Sequence, residues 1–392
     1  MKKILFVANT LQIGGAEKIL FNILKNIDKN KYDITVLALV NYGVLVNEIK
    51  KIEGVKYIGG YDGILKKTEL QPSSVTYKAE KWIMQRKLRK YTNILKKSET
   101  KTYKTFVKDE YDVEIAFLEG RVSKFVSKST NPKSKKIAWI HTDINNDRDI
   151  KENFFDIEDE INCFKKFDKI VCVSEMVKEK FMEKTGIVEN VQVQLNPIDS
   201  NNILELSKES IQFNRKNGEP ILCAVGRLEP VKGYDRLLEI HKKLLEQSIR
   251  HQLWFVGDGS EMENMKNYIR KNNLEDSVTM WGYQKNPYKF IKNADIYVCS
   301  SYFEGLSSTV IEATFLEKII VTTDCPGMEE ILGKNNENAM IVKNDTEALL
   351  EGLKEILTNE GLRKKYKNNI SRRRDLFNLE NTMKKIEEII EE

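Results

Sequence analysis

Ile296-Tyr-Val-Cys299-Ser-Ser-Tyr-Phe-Glu304-Gly-Leu-Ser-Ser-Thr-Val-Ile-Glu312 reads as a short buried strand running straight into a helix. Four apolar residues suit a strand covered on both faces, Gly305 and the serines break that pattern, and Val310-Ile311 open a helical one. The same unit recurs along the chain. Upstream the Val- and Ile-rich runs begin at Lys3, Ile34, Val55, Val113, Ile137, Ile170 and Val191. A second set begins at Ile221, Leu253, Val278, Ile296, Ile319 and Met340. Seven strands and then six, each followed by a helical pattern, predict an α/β fold of two doubly wound parallel sheets, Rossmann-like in type. Ligands of such sheets bind beyond the carboxyl ends of the strands, so two sheets facing each other would make one interdomain cleft.

The length of 392 residues favours two domains. Asn196-Pro-Ile-Asp199 and the polar stretch from Asn201 to Glu219 form the expected linker. The predicted division is residues 1–198, then 199–375, with a closing segment 376–392 returning to the first domain. Within that segment Met383, Ile386, Ile389 and Ile390 fall at helical spacing. Hydrophobic residues at 41% and charged residues at 31% exclude disordered and collagen-like classes. Five scattered cysteines read as reduced core residues of a cytosolic protein, and no His or Cys spacing suits a metal. The five apolar residues from Ile4 to Ala8 are too few for a signal peptide, and no run approaches the roughly 20 of a membrane span.

Past the strand ends lie the residues that can carry chemistry. Glu304 sits in a turn and Glu312 in the opening turns of the next helix, whose first free N–H groups, around Gly305, Leu306, Ser307 and Thr309, suit a diphosphate. Carboxylates beside an anion site suit hydroxyls, so the two glutamates fit a nucleotide sugar, though they also fit a capped and solvated helix. Gly226-Arg227-Leu-Glu-Pro230-Val-Lys232-Gly233 places a guanidinium fork and an ammonium in one strand-to-helix loop, as a departing diphosphate requires. Two solvated cations would read the same way. After the first strand Gly14-Gly15 opens a helix where backbone can approach a ligand closely, and Gly257-Asp-Gly259 follows the strand at Leu253. Both loops lack the third glycine of the dinucleotide fingerprint, so NAD is not indicated.

His141 follows the strand Ile137-Ala-Trp-Ile140, as a structural histidine or one facing the cleft. Asp147-Arg-Asp149 matches a loose metal pattern inside a strongly polar stretch and reads as a solvated loop. Residues 61–110 hold thirteen Lys/Arg against six Asp/Glu, although the whole chain carries only +5. Within 77–97, Met84, Leu88, Tyr91 and Leu95 share one helical face, flanked by Arg86, Lys87, Arg89 and Lys90. Such a helix suits an anionic membrane surface, or packs on its own domain with a basic exterior. No module that reads bases is present, so nucleic acid is not an expected partner.

Taken together, these residues resemble the retaining glycosyltransferases of family 4, which have the GT-B fold. The resemblance runs from Gly14-Gly-Ala-Glu17 through Trp139-Ile-His141, Asn196-Pro-Ile-Asp199, Gly226-Arg227, Lys232-Gly233 and Glu304 to Glu312. It implies that Arg227 and Lys232 bind the donor's diphosphate, helped by backbone near Leu306 and Ser307. It further implies that Glu304 holds hydroxyls of the transferred sugar, Glu312 the ribose hydroxyls, and that His141 lies against the donor sugar. Gly14 and Gly15 would shape the loop near donor and acceptor. Cys325-Pro-Gly327-Met-Glu-Glu330 departs from the family's loop at that place. The expected activity is transfer, with retained configuration, from a nucleotide-diphosphate sugar, expected as a UDP-sugar, to a saccharide or lipid-linked saccharide. No metal or other cofactor is expected. The expected setting is cytoplasmic, at the inner membrane face, in assembly of a cell-surface polysaccharide. A nucleotide-sugar epimerase of the same architecture, or a non-catalytic sugar-nucleotide-binding subunit, is the alternative.

Overall fold

The computed structural model describes residues 1–12, 14–61, 100–144, 153–213 and 215–392. The chain divides into two compact units, Met1–Pro197 joined by Thr382–Glu392, and Ile198–Asn381. Each is built on one parallel sheet.

The first unit contains strands β1 (Lys2–Ala8), β2 (Tyr32–Val40), β3 (Val55–Tyr61), β4 (Val113–Ala116), β5 (Lys135–Ile140), β6 (Lys169–Cys172) and β7 (Val191–Val193). Their order across the sheet is β3-β2-β1-β4-β5-β6-β7. The chain steps from β1 outward to β3, returns to the centre at β4, and then steps the other way. Strand β1 is buried from Ile4 to Ala8 because helices cover both faces of a parallel sheet. The helix Leu379–Glu391 buries Met383, Ile386, Ile389 and Ile390, the spacing read from the sequence. Its end is held by the amino ends of four strands of this sheet. Glu391 takes an ion pair from Lys2 at 2.7 Å and a hydrogen bond from the Tyr32 hydroxyl at 2.8 Å. Lys135 donates to the Ile389 carbonyl at 2.7 Å, and Lys169 pairs with Glu392. Cations at the carboxyl end of a helix also meet its negative dipole end.

The second unit contains β8 (Ile221–Val225), β9 (Gln252–Val256), β10 (Val278–Met280), β11 (Ile296–Cys299), β12 (Ile319–Thr323) and β13 (Met340–Val342), in the order β10-β9-β8-β11-β12-β13. Its core joins Leu222, Ala224, Leu237, Phe255, Val298 and Val321. Each large apolar side chain buried in this way contributes about 1.5–3 kcal/mol. All five cysteines are buried and free.

One expectation needs correcting. The polar stretch after Asn196 is not a bare linker, because Ser200–Ser207 is a helix of the second unit, with Asp199 accepting from the Asn202 N–H as its cap. It buries Ile203, and the Leu206 carbonyl accepts from Asn286 at 2.8 Å. The helix packs against the helices Tyr288–Asn293 and Ser308–Phe315, contacts that a count of apolar residues overlooks. The basic segment 77–97 and Asp147-Arg-Asp149 lie outside the described residues. Among the described residues no helix is long and apolar enough to cross a membrane, and no group of three His, Cys, Asp or Glu is placed to hold a metal.

Candidate functional site

In the second sheet the connections run one way from β8 and the other way from β11, which lie side by side. The loops leaving the carboxyl ends of these two strands therefore diverge, and the crevice they leave is where doubly wound sheets take ligands. Both sequence-predicted loops are there. After β8, Gly226–Lys232 ends in a turn of tight helix, Pro230–Lys232, and Gly233 then starts the helix Tyr234–Glu246. Gly233 has φ +61°, and a Cβ on it would lie 2.2 Å from the Ser300 carbonyl oxygen. Only glycine lets the two loops come so close. The Ser300 hydroxyl donates to the Lys232 carbonyl at 2.9 Å, and the Tyr302 N–H to the Val231 carbonyl at 2.8 Å.

This stitching brings Lys232 against Glu304, with Nζ 2.7 Å from Oε1. The Ser301 hydroxyl donates to the same oxygen at 2.6 Å. Burial works against the Lys232 charge, but the Glu304 carboxylate outweighs it and holds the pKa above its ordinary value. Arg227 is exposed, and its guanidinium has no hydrogen-bonded or ionic partner among the described residues. The crevice thus holds one cation tied to a carboxylate and one available cation.

The helix Ser308–Phe315 begins beside them. Ser307 caps it without a side-chain hydrogen bond to its N–H groups, which leaves donors of the first turn for an external anion. Gly305, Leu306 and Ser307 are buried, and the departing loop Cys325–Gly327 packs on them, since a Cβ on Gly327 would lie 2.7 Å from the Gly305 carbonyl. Glu312, further along this helix, is 1% exposed and accepts from the Tyr288 hydroxyl at 3.3 Å. Gly257 and Gly259 serve packing, for a Cβ on Gly257 would lie 1.9 Å from the Gly226 carbonyl.

The first sheet has its own divergence point, between β1 and β4. Gly14 caps the helix Gly15–Asn26 just past β1. His141 lies just past β5, its backbone N–H donating to Glu119 at 2.9 Å and its ring 4.9 Å from that of Phe117. Burial pushes its pKa down to about 3, against a hydrogen bond with the Phe117 backbone, so the imidazole is neutral near pH 7. Its Nε2 is buried without a hydrogen-bond partner among the described residues.

Three contributors were not singled out from sequence. Ser301 stood inside the quoted stretch, three residues before Glu304. Tyr288 and Arg236 lie far from it in sequence, and only the fold brings them to it.

Residues 207–373 match the model of the glycosyl transferases group 1 family. The chain is 29% identical over 271 residues, 58% of its length, to an uncharacterised glycosyltransferase of Methanocaldococcus jannaschii, of which the match spans 64%. It is 28% identical over 187 residues to the N-acetylgalactosamine-N,N'-diacetylbacillosaminyl-diphospho-undecaprenol 4-alpha-N-acetylgalactosaminyltransferase of Campylobacter jejuni, covering 47% of this chain and 49% of that one. Among solved structures, HepE of Anabaena in complex with UDP-glucose superposes with a TM-score of 0.74 at 16% identity, over 100% of both chains. Residues 207–373 thus match a glycosyl transferases group 1 domain, the match spans under two thirds of the length of the Methanocaldococcus and Campylobacter relatives, and the two parallel-sheet units share the GT-B architecture.

Proposed function

We propose that the protein transfers a sugar from a nucleotide-diphosphate sugar, a UDP-sugar first among them, to a saccharide or lipid-linked saccharide, with retained anomeric configuration. The observation that carries this reading is the convergence of Lys232 and Ser301 on Glu304, beside unpaired Arg227 and a helix start, at the divergence point of the matched domain. In this reading the donor's diphosphate lies on Arg227, Lys232 and the backbone of Gly305, Leu306 and Ser307. Glu304 takes hydroxyls of the transferred sugar, and Glu312 those of the ribose. Negative charge grows on the diphosphate as the glycosidic bond breaks, so cations fixed there stabilise the transition state more than the ground state. No metal enters this reading.

The first unit, with Gly14, Gly15 and a neutral His141 past its strand ends, is proposed to select the acceptor and to line the donor sugar. The name of the Campylobacter relative, with its undecaprenol-linked acceptor, supports a lipid-linked saccharide and a place in cell-surface polysaccharide assembly. The basic segment 77–97 is proposed to hold the chain, in the cytoplasm, at an anionic inner leaflet.

A thermal-shift screen against nucleoside diphosphates and a panel of nucleotide sugars tests the donor. At hundredfold excess over its dissociation constant a true donor stabilises the fold by about 2.7 kcal/mol. Stabilisation by one base and one sugar is expected, and folded protein that responds to none overturns the reading. Proton NMR of the transferred sugar's anomeric signal then checks retention.

A further inference from the structure

We propose that Arg236 is a positioning residue for sugar recognition, acting through the backbone of Ser300 and Ser301 to aim Ser301 and Glu304; this rests on the donor reading above. Arg236 lies on the helix Tyr234–Glu246, is 3% exposed, and has no ion pair among the described residues. A buried guanidinium is costly unless its N–H groups find acceptors. Here they find them in the loop after β11. Nε and Nη2 donate to the Ser300 carbonyl at 2.9 and 2.6 Å. Nη2 also reaches the Ser301 carbonyl at 2.8 Å and the Asn344 side-chain oxygen at 2.9 Å. Asn344 completes the clamp by donating to the Tyr302 carbonyl at 2.8 Å, and the Tyr302 ring centroid lies 3.9 Å from the guanidinium carbon.

The need for a clamp follows from where the sheet stops. The pairing of β11 with β12 ends at Cys299 opposite Thr322, so the next three carbonyls have left the ladder. Arg236 and Asn344 reach all three, and at Ser301 the Thr323 hydroxyl at 2.6 Å and the Cys325 thiol at 3.2 Å donate to the same carbonyl. The clamped Ser301 carries the hydroxyl that meets Glu304 at 2.6 Å, so a turn of that peptide displaces both groups. An apolar side chain of similar length would fill the space without aiming any carbonyl, and lysine would offer a point charge where the planar fork matches two adjacent oxygens.

The test is titration calorimetry on the full chain with UDP, UDP-glucose, UDP-galactose and UDP-N-acetylglucosamine. Arg236→Met and Asn344→Ala are expected to bind UDP within about threefold of wild type. Their preference for the UDP-sugar over UDP is expected to fall about tenfold for Arg236→Met, as in Glu304→Gln, and less for Asn344→Ala. Arg236→Lys should recover only part of it. An unchanged preference in the variants overturns the proposal, as does an equal loss of UDP and UDP-sugar, which would mark Arg236 as merely structural. If Arg236→Met does not fold, the half-buried Asn344 decides the matter alone. Wild-type protein that prefers no UDP-sugar over UDP overturns the UDP-sugar form of the donor reading and the proposal with it, and that failure is distinguishable because it precedes any substitution.

Discussion

Lys232 and Glu304, 72 residues apart in sequence, meet at 2.7 Å between loops that belong to neighbouring strands. A donor that puts its diphosphate on the ammonium and its sugar on the carboxylate would bridge a pair that is already formed, so little reorganisation precedes the chemistry. Lys232→Ala is expected to lower turnover on the order of a hundredfold or more. Glu304→Gln is expected to lose transfer while keeping nucleotide binding. Steady-state rates beside calorimetric nucleotide affinities check both, and an equal loss of binding and transfer in Glu304→Gln would remove it from the sugar.

Arg227 separates binding from stability. Being exposed and unpaired among the described residues, it contributes little to the fold, and Arg227→Ala is expected to unfold within about 0.5 kcal/mol of wild type. Its affinity for UDP is expected to drop, and more steeply at low salt, where an exposed charge is least screened. Salt-dependent calorimetry reads this directly, and affinity equal to wild type at low salt would count against a diphosphate role.

Gly233→Ala is expected to damage the second unit more than an ordinary surface change. A left-handed backbone costs a residue with a Cβ about 1–2 kcal/mol. The Cβ would further press on the Ser300 carbonyl that Arg236 holds. Urea denaturation should show the loss, and UDP-sugar binding should weaken with it. A variant as stable as wild type would mean the two loops are not in contact in solution.

The three histidines of the chain, His141, His241 and His251, are all buried. Burial pushes His141 and His241 down to about 3 and lowers His251. His251 donates from Nδ1 to the Ile249 carbonyl at 2.9 Å, so its Nε2 accepts from His241 Nδ1 at 2.8 Å. His241 Nε2 lies 2.8 Å from the Ser277 hydroxyl, which also donates to the Leu274 carbonyl at 3.2 Å, and burial keeps both rings neutral near pH 7. The unfolded state, with pKa near 6.5, binds protons that the native state refuses. For His141 and His241 stability therefore rises with pH between about 3 and 6.5 and is level above, each of these two protons giving about 1.4 kcal/mol per pH unit inside that window, and His251 acts in the same direction. The native imidazole proton resonances of His141 and His241 should not titrate between pH 8 and 5, and either one titrating near 6.5 would contradict its placement.

Strand positions were legible because each is a short apolar run between polar breaks, and β7, β8, β11 and β13 begin where those runs do. The two loops of the site were legible because their cations and carboxylates directly follow strands. What escaped was carried by spatial neighbours. Arg236 reads in sequence as one more polar residue on a helix beginning Tyr234-Asp-Arg-Leu, and nothing local says that its head turns inward to the carbonyls of Ser300 and Ser301. Tyr288 likewise reads as an aromatic at a helix start until Glu312 is found against it. The helix Ser200–Ser207 escaped because its stability comes from a cap and docking onto its neighbours, not from apolar content.

The closing helix has a consequence for how the molecule is made. Because Thr382–Glu392 completes the first unit while the second occupies the intervening stretch, synthesis yields the halves out of order. The second unit is continuous and has all its strands once Val342 has emerged, whereas Lys2 must wait some 390 residues for Glu391. At about 5–20 residues per second the ribosome spends tens of seconds with the amino ends of β1, β2, β5 and β6 lacking their partners on this helix. The first-made half is thus the last to be finished, and a chain stalled before its final turns would expose the apolar seat of Ile386 and Ile390 to chaperones while its other half stood folded.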